Sequence, residues 1–215
     1  GLAAGCYVGA VFGGFSEWIS LGLALLYGVA VLLLGINLGH DAAHDCLCRS
    51  RLGNRLVLIA CFTLIGLSGY LWRMRHVRSH HVFPNVNGCD IDIDENPFLR
   101  LSPNHPRRHM HRFQQFYAPL VYAMVYLHTV YVQDFIYLFK RDLANMHDIR
   151  HPRGEYAVFA ATKAGHLAIT LMVPMMLSPF AWWQVLIAYI TMAFGSSALF
   201  VYLLIGTHFC EEVVF

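Results

Sequence analysis

Two long stretches of this chain are apolar throughout and contain no charged residue, and they restrict the possible fold more than any other feature. They cover residues 20–37 and 182–205. A bilayer's hydrocarbon core is crossed by about 20 apolar residues in helical form, and about 17 is the practical minimum. Charged residues make up 13% of the chain, against about 25% in soluble domains. The sequence therefore predicts an all-α integral membrane protein.

Two shorter apolar stretches extend this prediction to about four transmembrane helices in a single domain, residues 1–215. Neither a starting Met nor a basic segment precedes residues 1–12, so they are interpreted as a span that has been cut. The other stretch contains Pro174, which neighbouring helices can accommodate. We expect truncation at both ends of the domain and spans at approximately 1–12, 20–38, 164–178 and 182–206.

The basic residues indicate which side of the membrane each connection faces. All fifteen Lys and Arg residues lie between Arg49 and Lys163. The connections 13–18 and 178–181 contain none, which predicts that they are external, because Lys and Arg accumulate on the cytoplasmic side. Residues 39–163 then form a histidine-rich cap on the cytoplasmic face. Two apolar stretches within the cap are predicted to be interfacial or re-entrant helices: residues 56–72 and 113–139.

Six of the thirteen histidines lie in three segments next to the predicted membrane boundary. They are His40 and His44, then His76, His80 and His81, and finally His208. His40 and His44 are four residues apart, so one helix face carries both imidazoles, and both can reach one ion or two adjacent ions. The second segment repeats this spacing and adds His81, about 100° round the helix. The alternative for the first pair alone is two polar residues in the headgroup region.

Carboxylates and amides lie beside each histidine segment and are predicted to orient the metal ligands, since bound imidazoles commonly donate their second N–H to such groups. They are Asp41, Asp45, Asn85, Asp90, Asp92, Glu211 and Glu212. Asp94 and Glu95 are expected to be solvated loop charges instead. The other histidines lack ligand spacing and are expected to be mostly interfacial: His105, His109, His111, His128, His147, His151 and His166.

These segments resemble the membrane fatty acid desaturase family, in particular its bacterial acyl-chain type. The resemblance extends from about residue 20 to residue 215 and is carried by HDAAH, HVRSHH, HHVFPNVNGCDIDI, PFLRLSP and HRFQQFYAPLVY. It implies three groups of metal ligands: His40 and His44, then His76, His80 and His81, and then His208. The family's third histidine box, H-x-x-H-H, is missing from these 215 residues, and Pro84 stands where the family often has Thr.

The resemblance also implies a reaction. Two iron ions on neutral imidazoles would activate O2, with electrons from a donor such as ferredoxin or cytochrome b5 with its reductase. Two hydrogens would leave a fatty acyl chain carried by acyl-CoA or by a lipid. Zinc binds the same ligands at least as well. The basic stretch 100–112 is predicted to receive an acidic electron carrier or an anionic head group.

Two other functions are compatible with the sequence. A related di-iron hydroxylase or monooxygenase, acting on alkyl, sterol or carotenoid substrates, would use the same histidines and add oxygen instead. A zinc membrane hydrolase or transporter would need neither O2 nor a reductant. A transporter would also place ionisable residues at mid-membrane, and residues 20–37 and 182–205 contain none. The formal net charge of +2 gives no reason to expect nucleic acid as a partner.

Overall fold

The computed structural model describes residues 1–94 and 98–208, and for residues 204–208 it describes the backbone alone. Within these ranges the chain is helical and forms no β-strand. The helices are α1 (Leu2–Phe12), α2 (Glu17–Leu34), α3 (His40–Ala43), α4 (Arg51–Ile65), α5 (Gly69–Arg75), α6 (Ile91–Asp94), α7 (Gln114–His128), α8 (Asp134–Phe139), α9 (Arg153–Leu167), α10 (Val173–Leu177) and α11 (Trp182–His208). π-Helical turns cover Gly35–Gly39, His76–His80, Thr129–Gln133 and Ala168–Met172, and a 3-10 turn covers His109–Phe113.

Three continuous helices in the described part of the chain are long and apolar enough to cross a membrane: Glu17–Ala43, Arg153–Leu177 and Trp182–Leu203. The first two pass through π-helical turns without interruption. Large apolar side chains on these helices are exposed, for example Leu33 at 43% and Ile187 at 53%. So much exposed apolar surface marks a contact surface, here with lipid. The predicted all-α membrane fold is confirmed.

The helix that carries the first histidine segment is held by close packing against its neighbours. α2 contacts both α1 and α11. At Gly28 the approach of α11 is so close that a Cβ atom would lie 2.4 Å from the Ser196 hydroxyl and 2.5 Å from Met192 Cγ. Only glycine permits this approach. The core around this contact consists of Cys6, Tyr27, Val31, Ile65, Tyr189 and Met192.

A sharp bend of 102° separates α4 from α5. Gly66 makes the bend with a left-handed backbone (φ 91°) that L side chains rarely adopt. Its N–H donates to the Phe62 carbonyl, and the Ser68 hydroxyl caps α5 by accepting from Leu71 N–H. The two helices satisfy the criterion for a span only when counted together. The interfacial or re-entrant placement of residues 56–72 therefore stays a prediction.

A buried ion pair fixes this bend to the rest of the fold. Lys163 Nζ donates to the Gly66 carbonyl at 2.7 Å, to the Val130 carbonyl at 2.6 Å and to Asp134 Oδ2 at 2.7 Å. The same carboxylate oxygen accepts from Ser68 N–H at 2.8 Å. We call these five residues the Lys163 network. The predicted third span started after Lys163, whereas the helix already begins at Arg153, and Lys163 lies in its interior.

The helical stretch formed by α7, the following π turn and α8 runs antiparallel to α11. The Ser197 hydroxyl donates to the Tyr122 carbonyl and accepts from Tyr126 N–H. Further along, the hydroxyls of Tyr131 and Tyr189 lie 2.6 Å apart. This stretch is not among the three helices that meet the spanning criterion in the described chain. Its predicted interfacial or re-entrant position stays a prediction.

Candidate metal centre

The first histidine pair lies at the end of a membrane helix. The π-helical turn Gly35–Gly39 immediately precedes His40, and α3 then ends at Ala43, with His44 as its C-cap. π turns insert one residue into a helix and are frequent at functional sites. The two imidazole rings lie on one side of the helix end, with centroids 4.7 Å apart. The predicted i, i+4 arrangement of this pair is present.

The second histidine segment is itself a π-helical turn, His76–His80. The His81 N–H donates to the His76 carbonyl at 2.9 Å, a bond that spans five residues instead of four. His76 and His81 therefore come together, with centroids 4.3 Å apart and their Nε2 atoms at 2.8 Å. The sequence predicted His76 with His80 on one face and His81 about 100° round the helix. The extra residue in the π turn changes which residues are aligned.

Four histidines from the two segments converge into one group, which we call the histidine cluster. Ring centroids are 5.1 Å apart for His40 and His76, and 4.8 Å apart for His44 and His81. One ring nitrogen from each of the four lies within 4.8 Å of the others. Since a metal–nitrogen bond is about 2 Å long, these atoms can surround an ion with small rotamer adjustments.

His80 faces a different set of partners from those of the histidine cluster. Its Nδ1 lies 3.0 Å from Asp90 Oδ2 and 3.9 Å from Asp92 Oδ2. Asp90 is fully buried and also accepts the backbone N–H groups of Asn85 at 2.8 Å and Asp92 at 3.0 Å. Burial acts to raise the pKa of Asp90, but the hydrogen bonds from His80 and the two backbone groups lower it overall. A carboxylate acceptor at Nδ1 favours the tautomer with its proton on that nitrogen, in which Nε2 would be the atom able to bind a metal.

The remaining predicted orienting residues have mixed positions. Asp41 lies 3.5 Å from His40 Nδ1. Within the described residues, Asp45 pairs with Arg73 at 2.5 Å and not with a histidine. Asn85 contributes its backbone N–H, from a left-handed conformation (φ 62°). The side chains of four residues with sequence predictions lie outside the described part of the structure: Glu95, His208, Glu211 and Glu212.

The ring nitrogens of the histidine cluster suit a metal ion. His44 Nε2 is buried and has no hydrogen-bond partner in the described structure. Burial, with smaller contributions from His40 and Arg73, lowers the pKa of His44. A neutral imidazole has a free lone pair, and the absence of a partner leaves it available to a metal. The donor set of several imidazoles is one that iron and zinc both accept.

Several residues around the site were not predicted. Trp72 stacks on the His76 ring with centroids 4.3 Å apart, and its position four residues before His76 was the available signal. His166 was expected to be interfacial but is buried, with Nε2 3.0 Å from the Tyr189 hydroxyl. Asp94 was expected to be solvated, yet its carboxylate accepts from Gly88 N–H and lies 2.8 Å from His105 Nε2.

One protein family is similar to most of this chain. The sequence profile described as "Fatty acid desaturase" matches residues 16–212. The match includes both histidine segments and the Asp90 region. No solved structure matches the chain.

Three relatives illustrate the similarity. An sn-1 linoleoyl-lipid 6-desaturase of Arthrospira platensis is 31% identical over 165 residues, which are 76% of this chain and 44% of that protein. An acyl-lipid (8-3)-desaturase of Physcomitrium patens is 31% identical over 62% of this chain and 28% of its own length. Acyl-lipid (8-3)-desaturase B of Dictyostelium discoideum is 35% identical over 54% of this chain and 25% of its own length. The chain spans less than half the length of each.

Proposed function

The chain belongs to the fatty acid desaturase family, and from this we propose that the protein introduces a double bond into a fatty acyl chain carried by a lipid. The observation that carries the proposal is the convergence of four imidazoles from two distant segments within 4.8 Å. The relatives' names point to lipid-bound acyl chains as substrates. Acyl-CoA is the other carrier compatible with the sequence.

The reaction needs an oxidant because two hydrogens leave an unactivated carbon chain. One O2 is reduced to two waters. Two of the four electrons come from the acyl chain and two from an external donor. Two of the four protons come from the acyl chain and two from solvent. A pair of iron ions, when bound, would supply the O2 activation that side chains cannot. His40, His44, His76 and His81 would hold the metal, and His80 would join them through Nε2.

The residues around the ligands have defined tasks in this proposal. Asp90 holds the His80 ring in one orientation through a 3.0 Å hydrogen bond, which fixes the ligand tautomer. Trp72 covers one face of the His76 ring at 4.3 Å and limits the access of water. Arg75 lies 3.2 Å from Asp92 and holds that carboxylate beside His80. A fixed, dry ligand set confines oxidation to the bound acyl chain.

We propose that the histidines face the cytoplasm and that electrons arrive there. The basic residues of the chain all fall within residues 49–163, between the first and last spanning helices. Arg107 and Arg108 are exposed in this part of the chain. An acidic carrier such as a ferredoxin or a cytochrome b5 would be attracted to them. Reversing both charges should slow electron delivery and increase its dependence on salt.

Product analysis of the full-length protein tests the proposed reaction. Membranes from an expressing host would be supplied with iron, O2 and reductant, and their lipids analysed by mass spectrometry. A loss of two mass units per acyl chain supports desaturation. A gain of sixteen units would support the related hydroxylase. Turnover of the lipid without O2 or reductant would support a zinc enzyme. The exposed-histidine variant His147→Ala is the matched control for the metal-site variant His44→Ala.

A further inference from the structure

A polar cavity, of about 460 Å³, opens between α4, α5 and α9 beside the first histidine pair. The charged residues that line it, which we call the rim, are Arg51, Arg55 and Arg73, together with Asp45 and Glu155. Asp45 is the residue after His44, so the rim is continuous with the histidine cluster. The apolar residues that line it, which we call the floor, include Leu58, Ile59 and Val158.

The charges on the rim do not cancel. Arg73 pairs with Asp45 through two N–H groups, and Arg55 pairs with Glu155 at 2.7 Å. Arg51 also lines the cavity and forms no ion pair with any residue in the described ranges. The rim therefore has three guanidinium groups against two carboxylates. Arg55 also remains accessible, since 52% of its side chain is exposed.

The chemistry of this rim favours a phosphate group. A guanidinium presents a planar fork of N–H donors that matches phosphate oxygens. Arg51 and Arg55 occupy the first and second turns of α4, a helix of fifteen residues whose N-terminal end adds partial positive charge. The apolar floor would contact the aliphatic part of an amphiphilic ligand. The cavity thus combines an anion-binding rim with a surface for the start of an acyl chain.

We propose that this cavity binds the phosphate of the acyl substrate's head group, through Arg51 and Arg55. The inference rests on the proposed function and adds a basis for substrate selection to it. A phosphate held there would fix one end of the substrate next to the residue that follows His44. Two sources carry this chemistry: a phosphoglyceride in the membrane and a soluble acyl-CoA.

Lipid retention by the full-length protein tests this site separately from catalysis. The protein would be purified into nanodiscs of a neutral galactolipid containing a small fraction of phosphatidylglycerol, and bound lipid measured by native mass spectrometry. Arg51→Gln should lower phosphatidylglycerol retention about tenfold, the loss expected for one charge-assisted contact. Arg51→Lys should retain part of the binding. Arg49→Gln removes a nearby charge outside the cavity and should leave retention unchanged.

The outcomes separate the two proposals. Displacement of the bound lipid by palmitoyl-CoA would identify the soluble carrier as a second source of the same phosphate. Equal retention by Arg51→Gln and the unmodified protein, or an equal loss in Arg49→Gln, would overturn the head-group site. If those variants behave as expected but the metal-loaded protein with O2 and reductant forms no double bond, the proposed function fails and the phosphate site stands.

Discussion

The histidine cluster and the Lys163 network both gather polar groups from distant parts of the chain, but they use their hydrogen-bonding atoms differently. All three N–H donors of Lys163 have an oxygen acceptor between 2.6 and 2.7 Å. In the histidine cluster, by contrast, the buried Nε2 of His44 has no partner in the described structure. Two ring nitrogens, those of His76 and His81, point at each other at 2.8 Å.

We expect this difference between polar residues that stabilise a fold and polar residues that bind a ligand. A buried charge is stable only when its partners satisfy it, as in the Lys163 network. An unsatisfied buried nitrogen costs free energy, so the one at His44 favours a ligand that completes the site. We therefore expect changes in the histidine cluster to affect metal binding and turnover, and changes in the Lys163 network to affect stability.

The largest expected effect is that of His44→Ala in the full-length protein. It should abolish turnover and reduce bound iron, because it removes one imidazole from the group of four. The unfolding temperature in detergent should change little, since that ring nitrogen has no partner in the described structure. Iron is measured by atomic emission and turnover by lipid mass spectrometry. A large fall in unfolding temperature would mean that the histidines serve mainly to stabilise the fold.

The second effect concerns the Lys163 network. Lys163→Met leaves the Asp134 carboxylate buried without its cation, which should lower the free energy of unfolding by about 3–5 kcal/mol. Thermal unfolding in detergent measures this loss. The exposed lysine in Lys140→Met provides the control and should show little change. Adding Asp134→Leu to Lys163→Met should restore part of the stability, and no recovery would argue against an uncompensated charge as the cause.

A smaller effect is expected at the residue that orients His80. Asp90→Asn keeps the size of the side chain but replaces a carboxylate acceptor, and should weaken iron binding about 10–100-fold. Competition with a chelator measures the affinity. Asp142→Asn is matched to it, because Asp142 lies 3.3 Å from His147 in an exposed aspartate–histidine pair. Equal effects of the two variants would rule out a specific role for Asp90.

The smallest effect is expected at the bend that brings the second histidine segment towards the first. Gly66→Ala should destabilise the protein by about 1–2 kcal/mol through its left-handed backbone. The same substitution also creates a clash, because the new Cβ atom would lie 2.7 Å from the His166 ring. Gly14→Ala has a similar φ of 62° in open space and isolates the backbone contribution. If both variants lose the same stability in thermal unfolding, the packing against His166 is unimportant.

The sequence predicted the parts of this fold that depend on local composition. Uncharged apolar runs identified the spanning helices that contain residues 20–37 and 182–205, because lipid exposure requires them. Of the five described histidines that the spacing selected, four converge, whereas His80 faces Asp90 instead. The pairing of His76 with His81 was not predictable from a regular helical period, because the π turn inserts a residue without a signal in the amino-acid types.

Long-range pairing was also beyond the sequence argument. The polar residues near Arg153 suggested a connection, whereas they form the first turns of a helix that continues to Leu177. Lys163 and Asp134 were visible as ionisable residues beside apolar stretches, a pattern that often marks a buried pair. Their partners could not be identified, since Gly66 and Val130 contribute backbone carbonyls. A hydrogen bond to a backbone carbonyl does not depend on the side chain of the acceptor residue, so the amino-acid sequence does not reveal it.

The contact between Lys163 and the Gly66 carbonyl has a consequence for biogenesis. The two residues are 97 positions apart, which a ribosome translates in about 5–20 s at typical rates. Throughout that interval, the part of the chain already made lacks the Lys163 cation that holds the bend at Gly66. The bend between the two histidine segments gains this anchor only after the later helix is made, so we expect metal loading to follow the synthesis of Lys163.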